Sequence, residues 1–281
     1  MATLLALLSS ALWGSADYQA GKLSKRFPAI AVLATTQAIG FITGIVLVLI
    51  SHAWSATAWG SGGYFVAGIF AGLFGYVGLM SLYSGLSTGR MGVVSPISSL
   101  GALIPLAYAL SIKGDHLSTI LTIGISIALV GGFLASGPEF SQGLPLKPLL
   151  FALSAAIFFG AALVCMAIGS QSSALMTMTT MRATTFIIGA LLFLRFRSIG
   201  GLGKSELPLL IFIGVSDFAA NLLLGVATTK GLVSIAMVLG SLYPIVTALL
   251  AFFFLHERLH KVQYVGVVLA VAGVSIISAF N

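Results

Sequence analysis

The chain holds six carboxylates and thirteen basic side chains among 281 residues, and the few inside long apolar runs demand a chemical reason. An ionised group at the centre of a bilayer costs about 2.5–3.5 kcal/mol on insertion scales. Asp217 stands ten residues into the run 207–228, about 15 Å deep at 1.5 Å per residue. Asn221 follows one turn later on the same face. Arg182 stands seven residues into the run 175–194, about 10 Å deep by the same rise. These groups are open to two readings. One is a polar site for a zwitterion or a proton, with Asp217 changing protonation as it works. The other is an Asp217–Arg182 ion pair tying two helices together, with Arg182 alternatively snorkelling to the nearer surface. Asp17, one turn after Trp13, is equally open: a cavity carboxylate, or a partner for Lys22 and Lys25.

Other residue sets are less polar. Tyr76, Met80 and Tyr83 recur at i, i+4 and i+7 in a run where Gly68, Gly72 and Gly75 allow close helix packing. Such a stripe is either core or a binding wall, and Ser95, Ser98 and Ser99 nearby would supply the few placed polar groups that a ligand pocket needs. Pro96, Pro105 and Pro244 remove backbone donors and are expected to kink their helices, as shape alone or as hinges.

Catalytic patterns are weak. The segment 256–260 reads HERLH, which matches the zinc-protease pattern of two His and a general-base Glu. A zinc site needs a third protein ligand, and none of the 21 residues that follow is Asp, Glu, His or Cys. An intramembrane zinc hydrolase using this segment stands as the alternative of another class; no bound metal and no cofactor are expected. His52, His116, His256 and His260 all fall in loops or at run ends, leaving no buried base for a serine nucleophile. No phosphate-binding Gly-x-x-x-x-Gly-Lys-Ser/Thr loop is present, so ATP-driven work is not encoded here. The chain is not expected to be an enzyme.

The elements that must position these residues are legible from composition. The chain is 59% hydrophobic and 7% charged, with mean hydropathy +1.14, against about 25% charged residues in a soluble domain. Disorder is excluded by the same figures. Nucleic-acid binding is excluded although the net charge is +7, because the basic residues sit in short clusters between apolar runs. A lone Cys165 excludes a disulfide framework. A bilayer core needs about 20 apolar residues per helix. Ten such runs are expected, near 3–21, 29–50, 63–86, 93–112, 118–136, 149–168, 175–194, 207–228, 232–254 and 262–279. Their continuity excludes a membrane barrel, and the short breaks leave no room for a soluble domain. The fold class expected is an all-α polytopic membrane protein.

The two halves repeat. An offset of 142 superposes Gly89, Ser99, Gly124 and Gly131 on Gly231, Ser241, Gly266 and Gly273, and Asp115 on Glu257. Near the start the offset becomes 146, bringing Trp13 and Gly14 onto Phe159 and Gly160. The division expected is 1–140 and 141–281, five helices each. Five is odd, so the halves must be inverted in the membrane. If the helices alternate, one side holds Lys22, Lys25, Arg26, Arg90, Lys147, Arg195, Arg197, Lys204, Arg258 and Lys261, and the other only Lys113 and Lys230. The basic side should be cytoplasmic, which places both termini outside, in a bacterial inner membrane. Inverted repeats are characteristic of secondary transporters.

Four short segments, ALWGS at 11–15, MGVVSPISSL at 91–100, SLYP at 241–244 and HERL at 256–259, in this order within two five-helix halves, resemble the drug/metabolite transporter superfamily, specifically its EamA-type carriers. The resemblance covers essentially the whole chain. It implies a ten-helix carrier whose central cavity is lined by the first, third and fourth helices of each half. Carried onto this sequence, the cavity residues are Trp13, Asp17, Tyr76, Met80, Tyr83, Ser95, Ser99, Phe159, Asp217, Asn221, Ser241 and Tyr243. The segment GDHL at 114–117 departs from the pattern with His116 where Arg is usual, a change expected to touch only a surface contact. The function expected is secondary active or facilitative transport of a small metabolite by alternating access, with amino-acid export preferred. Efflux of cationic drugs is the alternative. The partners are the small-molecule substrate and the lipid bilayer, with no nucleic acid. A monomer suffices.

Overall fold

The computed structural model describes residues 1–55, 57–60, 62–88, 94, 97–137, 146–196, 200–255 and 260–280. Ser95, Pro96, residues 256–259 and the side chain of Tyr83 lie outside what it describes. The described residues form helices: α1 Ala2–Ser24, α2 Ala29–Ser51, α3 Tyr64–Thr88, α4 Leu103–Tyr108, α5 Thr119–Ala135, α6 Leu146–Phe196, α7 Leu207–Lys230, α8 Val233–Gly240, α9 Tyr243–Leu255 and α10 Lys261–Phe280. Six stretches among them are long and apolar enough to cross a membrane, lying in α2, α3, α6, α7, α8 with α9, and α10. Two shorter apolar helices span Ile97–Lys113 and Thr119–Ala135. Large apolar side chains stand exposed along them, as at Ile42, Ile45 and Leu49 in α2 and Val265, Val268 and Val271 in α10. In hydrocarbon such faces need no further partner.

The longest helix is two. At 51 residues a straight α6 would reach about 77 Å, more than twice a bilayer core. Ser173 breaks it with an extended backbone (φ −161°, ψ 113°), and its Oγ accepts from the Met176 N–H at 3.2 Å, the arrangement of an N-cap. Contacts with α3 show that the chain reverses there. Gly68 and Gly72 of α3 approach Thr180 and Thr184 after the break, whereas Gly78 and Gly85 approach Phe159 and Phe151 before it. Residue numbers rise together in the first set and oppositely in the second, so the two limbs are antiparallel, with α3 against both.

The prolines act at helix breaks. Pro105 cannot donate to Gly101, and the segment around it runs from a 3-10 turn, Leu100–Ala102, through α4 into a π turn, Ala109–Lys113. Pro244 sits in the first turn of α9, where no intrahelical donor is required. The expected ninth run is therefore divided at Ser241 and Leu242, with α8 and α9 on either side.

Close backbone approaches recur in matched sets. A side-chain carbon built on Gly14 would lie 2.6 Å from the Tyr243 carbonyl oxygen and 2.5 Å from Val246 Cβ; one on Gly160 would lie 2.7 Å from the Gly101 carbonyl oxygen and 2.6 Å from Ile104 Cβ. Gly72 meets the Met181 carbonyl at 2.7 Å and Thr184 Cβ at 2.7 Å, while Gly214 meets the Thr36 carbonyl at 2.7 Å and Ile39 Cβ at 2.8 Å. Gly131 faces the Gly266 carbonyl at 2.8 Å, and Gly273 faces the Gly124 carbonyl at 2.7 Å. Each set maps onto its partner by an offset of 142, or of 146 between Gly14 and Gly160 and of 145 from Thr36 and Ile39 to Met181 and Thr184.

Candidate functional site

Asp217 is the hub of a polar network joining four helices. Arg182 Nη2 approaches Asp217 Oδ2 at 2.8 Å. Trp13 Nε1–H donates to Oδ1 at 2.9 Å, Asn221 Nδ2 donates to Oδ1 at 3.1 Å, and Gln37 Nε2 donates to Oδ2 at 3.2 Å. Gln37 Oε1 in turn accepts from Arg182 Nη1 and from the Thr185 hydroxyl at 3.0 Å. Arg182 and Asn221 are each 5% exposed and Gln37 3%. A buried ion pair offsets its desolvation only when further hydrogen bonds fill its remaining lone pairs and protons, and Trp13, Gln37 and Asn221 do that for the carboxylate. Sequence reasoning singled out Asp217, Asn221, Arg182 and Trp13 but passed over Gln37 and Thr185. The signal was available, since Gln37 is a polar side chain inside an apolar run, the same criterion that drew attention to Asp217.

Asp17 is in the opposite condition. It lies seven residues after Ser10 and eleven after Ala6, which at about 100° per residue puts all three on one face of α1. Ala6 is 0% and Ser10 3% exposed, whereas Asp17 is exposed. Leu8, nine residues earlier and so on the opposite side, is exposed as well and supplies a lipid-facing side. Asp17 is within electrostatic reach of Asp217 and of Tyr243, whose ring meets the Trp13 ring edge-on at 5.9 Å. One turn further, Gly21 is exposed with nothing within 4 Å of a side chain built on it. Asp17 and Gly21 thus both stand open toward the C-terminal end of α1. Lys22, a candidate partner for Asp17, lies instead over the Tyr18 ring at 5.6 Å.

The other end of the bundle is shut. Every residue of α8 is buried, and at its start the Asp115 carboxylate accepts from both the N–H and the hydroxyl of Ser234, each at 2.8 Å. An anion there also complements the positive end of the helix dipole. Ser172 donates to the Thr57 carbonyl at the same end, and Gln171 Nε2 reaches the Thr228 carbonyl at 3.5 Å. Asp115, expected to be a loop residue matched to Glu257, thus makes a structural contact with the start of α8.

The remaining candidates are more dispersed. Phe159 packs on Gly78 of α3. Tyr76 is buried at 6% exposure, and its hydroxyl finds no partner among the described residues. Met80 is 37% exposed, on the side of α3 where Leu73 and Val77 are also exposed. Ser99 is partly buried, and the Ser241 hydroxyl donates to the Val238 carbonyl at 2.7 Å, closing the end of α8. Among the described residues no group of three or more His, Cys, Asp or Glu could hold a metal ion; the HERL part of the HERLH segment lies outside them.

Fold and site together define a helical membrane protein with polar groups inside its bundle. The EamA-like transporter family matches residues 1–137 and again residues 146–279, and the chain belongs to that family. It is accordingly a membrane transporter of small solutes, within the drug/metabolite transporter superfamily. A relative from Methanocaldococcus jannaschii, "Uncharacterized protein MJ1333.1", is 27% identical over 133 residues, which make up 47% of this chain and 97% of that protein. A solved crystal structure shares the fold with a TM-score of 0.80 at 19% identity, covering 99% of this chain and 96% of that one.

Proposed function

We propose that the chain is a secondary carrier of small metabolites, exporting amino acids or related compounds by alternating access. Its ten spans are α1, α2, α3, the Ile97–Lys113 segment, α5, the two limbs of α6, α7, α8 with α9, and α10. They form two inverted halves, 1–140 and 141–281. The observation that carries this reading is the matched set of contacts around Gly14 and Gly160, Gly72 and Gly214, and Gly131 and Gly273. Contacts that map onto each other when the halves are exchanged are what a pseudo-two-fold axis requires, and an inverted pair can trade conformations to open either side. The two separate family matches and a relative about as long as one half support the same division. The open end carries Lys22, Lys25 and Arg26, so the positive-inside rule makes this the cytoplasm-open form, with the Asp115–Ser234 contact closing the outer side and both termini outside. One chain encloses the site, so a monomer suffices. The amino-acid preference rests on the resemblance to EamA-type exporters.

The test is uptake of a labelled amino-acid panel into proteoliposomes, with and without a proton gradient. Saturable uptake of particular amino acids is expected. No uptake above empty liposomes, in protein shown to be folded, would overturn the proposed substrate class.

A further inference from the structure

Gln37 and Arg182 are repeat equivalents, 145 positions apart, and they bond to each other, Arg182 Nη1–H donating to Gln37 Oε1. Two equivalent residues in contact straddle the axis that relates the halves. The same exchange takes Asp217 to Gly75, at an offset of 142. These two places are unlike. Asp217 holds Arg182 Nη2 at 2.8 Å and Gln37 Nε2 at 3.2 Å. At Gly75 the chain provides no carboxylate, and no described atom comes within 4 Å of a side-chain carbon built there. Leu73 and Val77, each about 160° round the helix from Gly75, are exposed and form the lipid-facing side of α3. Gly75 therefore points into the bundle, yet it is partly exposed, so the open space beside it is internal. Tyr76, the next residue, carries a buried hydroxyl with no partner among the described residues, a group that a ligand or water must satisfy.

In an inverted-repeat carrier the opposite form arises when the halves trade conformations. Arg182 then takes the part of Gln37 and Gln37 that of Arg182, and both reach toward Gly75 instead of Asp217. The empty chain has no anion to meet them there, and a lone guanidinium inside a membrane is costly. We infer that the carboxylate of the transported amino acid fills this place beside Gly75, held by Arg182 and Gln37 as Asp217 is held here. The inference rests on the carrier reading and deepens it, giving the substrate's anionic group a subsite. A zwitterion leaves the interior neutral overall, its ammonium answering the Asp217 charge that Arg182 releases. The empty carrier accordingly rests in the present form, and a bound carboxylate releases it.

Val233, at the closed end of the bundle and 2% exposed, gives a reporter of opening. The test is the rate of maleimide labelling of Val233→Cys in a Cys165→Ser chain held in nanodiscs. The probes are an equimolar mixture of the standard L-amino acids and the matching α-amides, which keep the ammonium and lose the carboxylate. The acids are expected to speed labelling at least tenfold and the amides less than twofold. Gly75→Asp, which supplies the missing carboxylate from the chain itself, should label at least tenfold faster without ligand and no longer respond to the acids. Gly75→Asn, which fills the same space without charge, should stay slow. Labelling of Gly75→Asp no faster than that of Gly75→Asn, or amides as effective as acids, would overturn the inference. Amino-acid flux into proteoliposomes by a chain whose labelling neither Gly75→Asp nor the acids alter would overturn it and leave the carrier reading standing. Fast labelling of Gly75→Asp with no response to either mixture would uphold the carboxylate place and overturn the amino-acid reading instead.

Discussion

Replacing Arg182 by Met keeps an apolar stem in place of the guanidinium-bearing chain and removes its charge. Asp217 then keeps three hydrogen-bond donors but loses the cation at 2.8 Å. Breaking a buried ion pair by deleting one partner costs about 3–5 kcal/mol. The Asp217 side chain is 23% exposed against 6% for Arg182, so water screens the stranded carboxylate and the lower end, about 3 kcal/mol, is the figure to expect. Asp217→Asn should cost a similar amount for a different reason, since the buried guanidinium is stranded and the new amide can set a donor against Nη2. The double variant carries no unpaired charge. Its loss should fall below the sum of the single losses by about 2 kcal/mol, within the range for directly contacting residues. The measurement is the unfolding free energy of the four proteins in mixed micelles, followed by circular dichroism. Single losses that add to within about 0.5 kcal/mol would refute the claim that these residues act as one neutral pair.

Other consequences follow from packing and capping. Gly131→Ala puts a methyl carbon 2.3 Å from the Ala270 nitrogen and should destabilise by at least the 1–3 kcal/mol typical of overpacking, roughly, read as a lowered Tm. Gly75→Ala, with nothing within 4 Å of the added carbon, should be neutral or stabilising by about 0.5–1 kcal/mol through helix propensity; a loss there would mean that the helix contacts are misassigned. Ser173→Ala removes the cap that starts the second limb of α6 and should cost about 1 kcal/mol, whereas Ser173→Asp should preserve stability in the same assay. Trp13→Phe keeps the ring against Tyr243 but deletes the indole donor to a charged acceptor, a loss of about 1.5–3 kcal/mol that should shrink to about 0.5–1.5 kcal/mol in an Asp217→Asn background, where the acceptor is a neutral amide oxygen.

The sequence revealed the elements better than their ends. The break near residues 169–173 was readable from Gly169–Ser173 lying between two apolar runs, and the structure places a capped reversal at Ser173. The division of the ninth run at Ser241 and Leu242 was signalled only as a kink at Pro244, because a proline marks a lost donor without saying how far the helix retreats. The repeat offset, found from small residues, also relates the carbonyls that matched glycines meet, and glycine at a helix crossing permits such close backbone approach. The Asp217–Arg182 contact was legible as one of two alternatives. Gln37 was not, although its burial among apolar residues carried the same message. The Asp115–Ser234 contact was out of reach, because it joins residues 119 positions apart, where no local periodicity reports.

Alternating access requires the closed end to open, and the Asp115–Ser234 contact lies across it. The direct measurement is flux through a Cys165→Ser chain carrying Asp115→Cys and Ser234→Cys, assayed in proteoliposomes before oxidation, after oxidation and after reduction, with the cross-link verified by mass. Transport that falls to background when the disulfide forms and returns on reduction is the predicted result. Undiminished flux through fully cross-linked protein would contradict the account.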